Sequence, residues 1–279
     1  MRILHIVHQY VPEHVAGTEL YTQALAEYQI AAGHETAVFY PSNSQSPKMD
    51  ESGVRRYGVP LGPRSRTRVF GDTFFNREVV DAFTAVLAAE KPDIIHIQHL
   101  MGLPVGLANQ ISAAGIPYVV TLHDYWYGCA NGQLITNTDN SICAGPDQFY
   151  LNCGRCALAR AGQAGLGWLA PGIAPLLAYR NGRLRRILEQ AEVVIPPTKF
   201  VQNTYEAMGF DTGNFRHVPH GIEIPQEKIQ AILAQQADAA ARPGLHIGYV
   251  GSLGWQKGVH VLVEAVNQLP VEDVTLQIY

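Results

Sequence analysis

The chain of 279 residues is long enough for two domains of ordinary size. Hydrophobic residues make up 47% of it and charged residues 16%, which is typical of a globular protein with a large core and excludes a mainly disordered chain. The formal net charge of −4 gives no overall positive field. We therefore expect no nucleic-acid partner, and we expect any bound anion to be held by local groups.

The N-terminal sequence MRILHIVHQY has a single basic residue and a very short apolar segment, with no small-residue cleavage site. A secretory signal needs a longer apolar region, so we expect a cytoplasmic protein. Four cysteines in such a reducing compartment favour metal binding or free thiols over disulfides.

Predicted strands and helices alternate along the first 222 residues. Short apolar runs predict the strands, and apolar residues at helical spacing predict the helices. We expect Thr18 to cap the first helix, Gly33 to end it, and Asp72 or Thr73 to cap the helix that ends at Glu90. Strands are predicted at 2–8, 35–40, 54–59, 94–98, 116–121, 191–196 and 215–219, and helices at 18–32, 72–90, 103–114 and 198–208. The alternation predicts an α/β fold with a Rossmann-like, doubly wound parallel sheet.

Polar side chains crowd just beyond the strand in IPYVVTLHDYWYG, residues 116–128. His123 and Asp124 follow its apolar run, and His99 follows the preceding strand. Parallel strands place their carboxyl ends at one edge of a sheet, so we expect three loops to converge there and form a site. These loops are residues 8–19, 96–101 and 121–127. The alternative is a core strand followed by an ordinary loop with a buried histidine.

Residues 161–179 carry no formal charge. Their glycines and prolines predict a poor helix, and their modest hydrophobicity argues against a membrane span. Residues 179–189 then predict a basic helix in which Arg180–Arg186 contains four arginines. That helix predicts a peripheral contact with the inner membrane face, and the alternative is a solvated basic face over a packed apolar one.

Residues 223–279 predict the start of a second Rossmann-like domain, with helices at 226–241 and 259–269 and strands at 245–250 and 274–279. The 54 residues that follow Pro225 are too few to close an α/β core of their own. We therefore expect an incomplete C-terminal domain that belongs to a longer protein.

The first loop with phosphate-binding character is Ala16-Gly17-Thr18-Glu19, a run of small residues at a helix start. Free backbone N–H groups and the helix dipole can bind a phosphate or a sugar hydroxyl at such a position. The alternative is a plain tight turn.

The second such loop, GSLGWQKG at 251–258, lies between a predicted strand and a predicted helix. Gly251 and Ser252 begin the loop, and its glycines allow a phosphate to approach the backbone. Lys257 lies at the helix start, where a cation opposes the helix dipole. That unfavourable placement favours a bound anion over a merely exposed lysine.

Four cysteines lie within 28 residues, in a segment (128–160) rich in Gly, Asn and Asp. Four thiolates fit a tetrahedral structural zinc site in which every ligand position is filled and none is left for water. The alternatives are unligated thiols, an iron–sulfur cluster or disulfides. The predicted ligands are Cys129, Cys143, Cys153 and Cys156.

Six segments in this order resemble the GT-B glycosyltransferases, and specifically glycosyltransferase family 4, in a subgroup with a four-cysteine loop after HDYW. The segments are RILHIVHQY with AGTE, PDIIHIQH, VVTLHDYW, VIPPTKF, RHVPHGIE and HIGYVGSLGWQKGVHVLVEAV. The resemblance covers nearly the whole chain. It implies two Rossmann-like domains, 1–222 on the acceptor side and 223–279 for the nucleotide sugar.

By this resemblance Gly17 lies near the donor diphosphate, His123 contacts the donor sugar and Lys257 neutralises the departing phosphates. The other residues expected to bind donor or acceptor are Thr18, Glu19, His99, Asp124, Gly251 and Ser252. The chain departs from the family at Ala16, where the family often has Gly, and at Ser252, where an Arg commonly joins the Lys. The acidic pair that touches the donor in this family would lie beyond Tyr279.

The implied activity is the retaining transfer of a hexose from a nucleotide-sugar donor to a glycan or lipid-linked acceptor, in cell-surface polysaccharide biosynthesis. No catalytic metal is expected, because cationic and amide groups can stabilise the charge that builds on the leaving diphosphate. The alternative is a non-catalytic, zinc-stabilised module that binds a sugar or an acceptor. An NAD-dependent oxidoreductase is disfavoured because neither loop is GxGxxG.

Overall fold

The computed structural model describes residues 1–43, 48–221, 226–239, 244–270 and 274–279. The chain divides into two compact units, Met1–His220 and Gly221–Tyr279. The predicted domain boundary after residue 222 and the predicted end of the 226–241 helix lie outside the described residues, so both stay predictions.

The first unit is built on a seven-stranded sheet. Its strands are β1 (Arg2–Ile6), β2 (Glu35–Ser42), β3 (Lys48–Met49), β4 (Arg55–Pro60), β5 (Ile94–Ile97), β6 (Tyr118–Thr121) and β7 (Val193–Ile195). The order is β3-β4-β2-β1-β5-β6-β7, with every pair parallel except β3 and β4. The strand order therefore reverses between β1 and β5, and such switch points are where ligands bind in doubly wound sheets.

Apolar residues cover both faces of this sheet, as parallel sheets require. On β2, Ala37 and Phe39 join one buried cluster while Val38 and Tyr40 join another. The predicted strand at 215–219 is wrong, because the structure has a single parallel bridge there, between Val194 and Phe215.

The first unit has seven α-helices in its described residues. They are α1 (Gly17–Ala31), α2 (Arg66–Asp72), α3 (Arg77–Glu90), α4 (Gly106–Ala113), α5 (Leu151–Arg160), α6 (Ala170–Gln190) and α7 (Lys199–Ala207), with a 3-10 turn at Ala164–Leu169. Of these helices, α2 and α5 were not predicted. Gly33 has φ +85° just beyond α1 and ends it as predicted.

Two predicted helix caps are wrong. Helix α1 begins after Ala16, and in the described part of the chain no side chain caps it, so Thr18 is a helical residue. The helix predicted to begin at Asp72 or Thr73 begins at Arg77, where the side chain of Asn76 caps it by accepting from the N–H of Val79, and Asp72 is the last residue of the preceding helix α2.

Helix α6 begins inside the segment for which the sequence predicts a poor helix, so that prediction is wrong from Ala170 onward. Pro171 lies in the first turn, where its missing N–H has no helical partner to lose. Pro175 lies inside the helix, and burial of residues such as Ala174 and Leu177 outweighs its poor propensity.

Arg180 is buried and cannot belong to the predicted membrane-contact surface, so the four arginines of α6 do not share one exposed face. Arg180 is 1% exposed, its Nη2 donates to the carbonyl of Trp126, and its guanidinium lies 4.5 Å from the centre of that ring. Arg185 donates to the carbonyl of Gly209 and lies over Phe210. Within the described ranges, every helix is too short or too polar to cross a bilayer.

The second unit contains α8 (Gln226–Ala239), β8 (Leu245–Tyr249), α9 (Val259–Asn267) and β9 (Val274–Ile278). β8 and β9 pair in parallel, from Leu245 opposite Val274 to Tyr249 opposite Ile278. This strand–helix–strand unit agrees with the expected start of a Rossmann-like domain.

Candidate functional site

The three loops expected to converge meet at the carboxyl edge of the sheet in the first unit. His8 follows β1 and His99 follows β5, and their rings lie 4.5 Å apart. His8 Nε2 is 3.8 Å from Glu19 Oε1 at the start of α1, and His99 Nε2 is 3.2 Å from Asp124 Oδ1 beyond β6. Two carboxylates and two imidazoles therefore form one contiguous cluster.

Asp124 is fixed from several directions. Its Oδ1 also accepts from the N–H of Trp126, while the Tyr205 hydroxyl donates to its carbonyl. Burial raises the pKa of the Asp124 carboxyl, but the neighbouring His99 and the hydrogen bonds from His99 and from the N–H of Trp126 outweigh burial and leave that pKa below its ordinary value. The carboxylate is thus charged and held in one orientation.

Glu19 and His8 each present a buried polar atom that lacks a partner among the described residues. These atoms are Glu19 Oε2 and His8 Nδ1. Burial, followed by the neighbouring His99 and His123, lowers the pKa of His8 well below its usual range, so His8 is neutral. Buried polar groups are normally hydrogen-bonded, so this pair is suited to a polar ligand.

His123 lies at the end of a hydrogen-bonded chain that runs beneath the edge. His123 Nε2 donates to Gln98 Oε1 at 2.9 Å, Gln98 Nε2 donates to His5 Nδ1 at 3.2 Å, and His5 Nε2 donates to Gln29 Oε1 at 2.8 Å. Each donor in this series of hydrogen bonds faces an acceptor. The proton of His123 is therefore on Nε2, and its Nδ1 is an acceptor.

Burial, followed by the neighbouring His220 and His99, lowers the pKa of His123 to about 3. Burial likewise lowers the pKa of His5 to about 4, partly opposed by its hydrogen bond to Gln29. The chain is therefore neutral near pH 7. Its outer end contacts two further rings, Tyr21 at 5.3 Å and His220 at 5.0 Å.

The Gly17 loop is open to solvent on the side where a side chain would project. A Cβ added at Gly17 would meet nothing within 4 Å, and Gly17 itself is exposed. Thr18 is half-buried, and its carbonyl accepts from Thr22 Oγ1. The first N–H groups of a helix have no intrahelical partner, so those of α1 are available to an anion or a hydroxyl.

The second loop is described within its own unit. Gly251 has φ +155°, and a Cβ there would lie 3.2 Å from the Tyr249 hydroxyl, which donates to the Ser252 carbonyl. A 3-10 turn over Trp255–Lys257 precedes α9, and Lys257 is exposed. The loop therefore presents a glycine backbone and one ammonium group next to a helix start.

The four cysteines form no disulfide in the part of the chain that the structure describes, and all line one cavity. Cys153 and Cys156 lie on α5, so the cysteine segment (128–160) is more regular than the sequence suggests. Cys129 Sγ donates to Asn131, and Cys143 Sγ donates to the carbonyl of Gly145. In the described residues, no group of three or more His, Cys, Asp or Glu side chains is placed to hold a metal ion, so the zinc site stays a prediction.

Sequence reasoning missed four residues that shape this edge. They are His5, Gln98, Tyr21 and His220. Alternation along β5 gave a weak signal for Gln98, because IIHIQH places polar residues at every second position near the strand end. The His5–Gln98 contact joins residues 93 positions apart and has no local signature.

The solved structures similar to this chain define its class. Sucrose-phosphate synthase from Thermosynechococcus elongatus aligns with a TM-score of 0.66 and 18% identity, over 99% of this chain and 61% of that one. HepE from Anabaena, in complex with UDP and glucose, aligns with a TM-score of 0.54 and 17% identity, over 100% and 60%. Trehalose-6-phosphate synthase OtsA gives 0.55 and 16%, over 100% and 64%. The fold is that of the GT-B glycosyltransferases.

A family model described as a glycosyl transferase 4-like domain matches residues 16–221. The chain belongs to that family, which confirms the resemblance inferred from its motifs. It spans about 60% of the length of the solved structures it matches. No match was found among curated proteins.

Proposed function

We propose that the protein is a retaining glycosyltransferase that moves a hexose from a nucleotide sugar to a glycan or lipid-linked acceptor in cell-surface polysaccharide biosynthesis. The family match and the GT-B fold support the transferase class. Crystal structures of the similar HepE contain UDP-glucose or UDP with glucose, which supports a nucleotide-sugar donor.

One observation carries the proposal: His123 is neutral and oriented at the carboxyl edge of the sheet. Its Nε2 proton is committed to Gln98, so the ring offers its Nδ1 lone pair and its edge to a ligand. A neutral imidazole suits the recognition of a sugar hydroxyl, because it adds no charge beside an oxocarbenium-like transition state. His123 is the residue that contacts the donor sugar in this proposal.

Lys257 and the amides of the Gly251 loop supply the positive potential for the leaving diphosphate. Negative charge builds there as the glycosidic bond breaks, and preorganised donors lower the barrier without a catalytic metal. Ser252 and Gly251 bring backbone N–H groups to the same loop. Within the first unit, the backbone amides of Gly17 and Thr18 at the start of α1 are a separate set of donors for an anion or a hydroxyl.

A donor screen tests the activity. The full-length protein is incubated with a panel of UDP-, GDP- and ADP-sugars, and release of the nucleotide is measured. We expect turnover with one of them, and a sugar product of unchanged anomeric configuration by NMR. Failure with every donor would refute the proposed activity. A product of inverted anomeric configuration would refute the retaining mechanism.

Two substitutions assign the roles. His123→Ala should lower kcat/KM about 100-fold, equivalent to about 2.7 kcal/mol of transition-state stabilisation, with the exposed His217→Ala as the matched control. Lys257→Ala should abolish turnover while the far-ultraviolet circular dichroism spectrum is kept, with the exposed Lys228→Ala as its control. Unchanged kinetics in either variant would refute the role of that residue.

The four thiols that line one cavity favour a second candidate, a zinc-stabilised binding module without catalysis. The donor set is right for structural zinc, and the thiols of Cys129 and Cys143 would turn from their present hydrogen-bond partners to bind it. Metal analysis should find one zinc per chain, and Cys153→Ser should be insoluble. Four titratable thiols with neither zinc nor iron would remove this candidate.

A further inference from the structure

The same cavity is large enough to hold a small molecule. It has a volume of about 420 Å³, within the range of small-molecule sites, and lies entirely in the first unit. Its walls come from α2, α5, α6 and the cysteine segment, and apolar side chains dominate the lining. Those that matter most are Val69, Phe70, Met101, Trp126, Ile173 and Leu177.

The cavity shares a wall with the carboxyl edge. Trp126 lines the cavity, its backbone N–H donates to Asp124, and its ring lies 5.3 Å from that of His99. The guanidinium of Arg180 lies 4.5 Å from the centre of the same indole. A molecule in the cavity therefore contacts the side chain that separates it from the acidic and histidine groups of the edge.

Three arginines line the cavity, and they differ in whether their charge is already paired. Arg64 also lines it, but its Nη1 donates to Asp72 and to the carbonyl of Gly102, so its charge is already paired. Arg66 on α2 and Arg160 on α5 line the same cavity and are exposed. Neither guanidinium has a hydrogen-bond or ion-pair partner in the part of the chain that the structure describes.

We propose that this cavity binds an anionic amphiphile of the prenyl phosphate class. The apolar chain lies against Phe70, Trp126 and Leu177, and Arg66 and Arg160 hold the phosphate, for which guanidinium groups have suitable geometry. If the prenyl phosphate also carries the sugar acceptor, that role rests on the proposed function. Binding itself needs neither a donor nor turnover.

Farnesyl phosphate is the probe, and Trp126 is the reporter. In a Trp168→Phe, Trp255→Phe background, Trp126 is the remaining tryptophan, and its emission should change saturably as the probe is added. Farnesol and inorganic phosphate should each bind at least about ten-fold more weakly, a difference of about 1.4 kcal/mol. The titration contains no nucleotide sugar, so its outcome is independent of the donor screen.

Variants locate the site. The double change Arg66→Ser, Arg160→Ser should weaken farnesyl phosphate about ten-fold, whereas Arg77→Ser, at an exposed arginine outside the cavity lining, should leave binding unchanged. Ala157→Phe narrows the cavity and should block the probe, with folding checked by circular dichroism. Equal binding of farnesol, an unaffected double variant, or the absence of saturable binding would each overturn the proposal.

Discussion

The carboxyl edge of the sheet and the cysteine segment lie side by side but are held together differently. At the edge, polar side chains satisfy one another in a buried, neutral chain from Gln29 to His123. In the cysteine segment, short polar side chains bond mainly to nearby backbone, as Asp147 does with the N–H groups of Leu151 and Asn152. The sheet therefore preorganises the edge, while the segment depends on local turns.

The thiols show the same contrast. Burial raises the pKa of Cys153 to about 12, so this thiol is protonated near pH 7, as the imidazole of His123 is neutral. The neutral imidazole is paired with Gln98, 25 positions away, whereas Cys129 and Cys143 donate to groups two positions away, at Asn131 and Gly145. The edge is therefore held by contacts between distant parts of the chain, and the thiols by contacts that are close in sequence.

The largest effect is expected from acidification, which should destabilise the carboxyl edge of the sheet. Burial lowers the pKa of His5 to about 4 and of His123 to about 3, and it lowers those of His8 and His96 well below the ordinary value for a histidine. Below about pH 6.5 these histidines bind protons in the unfolded chain but remain neutral in the folded chain. The unfolding free energy should therefore fall, by at most about 1.4 kcal/mol per pH unit for each imidazole.

Urea unfolding at pH 7, 6 and 5 measures this slope. The exposed His217→Gln should leave the slope unchanged and serves as the control. A free energy that stays constant from pH 7 to pH 5 would contradict neutral, buried imidazoles at the edge.

Removing Arg180 should separate the two regions. Its guanidinium donates to the carbonyl of Trp126 and to Asn181 Oδ1, and Asn181 Nδ2 donates to the carbonyl of Gly128, where the cysteine segment begins. Arg180→Ala leaves buried acceptors unpaired and opens a cavity, so we expect a loss of about 3 kcal/mol or more in urea unfolding.

The matched control is Arg186→Ala, an exposed arginine on the same helix, for which a change within about 0.5 kcal/mol is expected. Equal stability of the two variants would show that α6 does not anchor the junction.

Changing Gln98 should sharpen the description of the edge. Gln98→Leu leaves His5 Nδ1 and His123 Nε2 without their partner, which should cost about 2 kcal/mol of stability and slow turnover. Gln98→Glu places an acceptor against His5 Nδ1, so the pKa of His5 should rise from about 4, as followed by NMR of the ring protons.

The control is Gln110→Leu on α4. This change removes a glutamine whose side chain donates to Thr84 at the surface. If the pKa of His5 in Gln98→Glu equals that of the unaltered protein, the chain of hydrogen bonds does not set the state of these rings.

The smallest effect is expected inside the cysteine segment. Asn131 Oδ1 accepts from Cys129 Sγ and from the N–H of Gln133, and its Nδ2 donates to the carbonyl of Ile135. Asn131→Ala should cost about 1 kcal/mol in urea unfolding, a typical value for partly exposed hydrogen bonds. The exposed Gln133→Ala should be neutral, and equal losses in both would refute the role of the Asn131 turn.

Local patterns predicted the sheet well because its signals are local. The apolar runs of β1, β5 and β6 and the glycine at Gly33 each carry their own information. Helix α6 was harder, since Pro171 and Pro175 argue against a helix while the buried contacts that stabilise it are distant in sequence. The same reason hid the inward orientation of Arg180, whose carbonyl partner at Trp126 is 54 positions away.

Some residues of the candidate site were predictable from local sequence, and others were not. His99, His123 and Asp124 stand next to strand ends and were predictable from position. The pairing of Gln98 with His5 depends on the β1–β5 register, which places His5 opposite His96, and a single sequence does not contain that register.

Gly132, in the cysteine segment, lies against Asp124 and Tyr125 of the carboxyl edge. It has φ +77°, and a Cβ at this position would lie 2.9 Å from Asp124 Oδ2, closer than real contacts allow. The Gly132 carbonyl also accepts from the N–H of Tyr125. Anyone who grafts a different cysteine loop onto this sheet must therefore keep a glycine here, because one added methyl group in the loop would displace the carboxylate that orients His99.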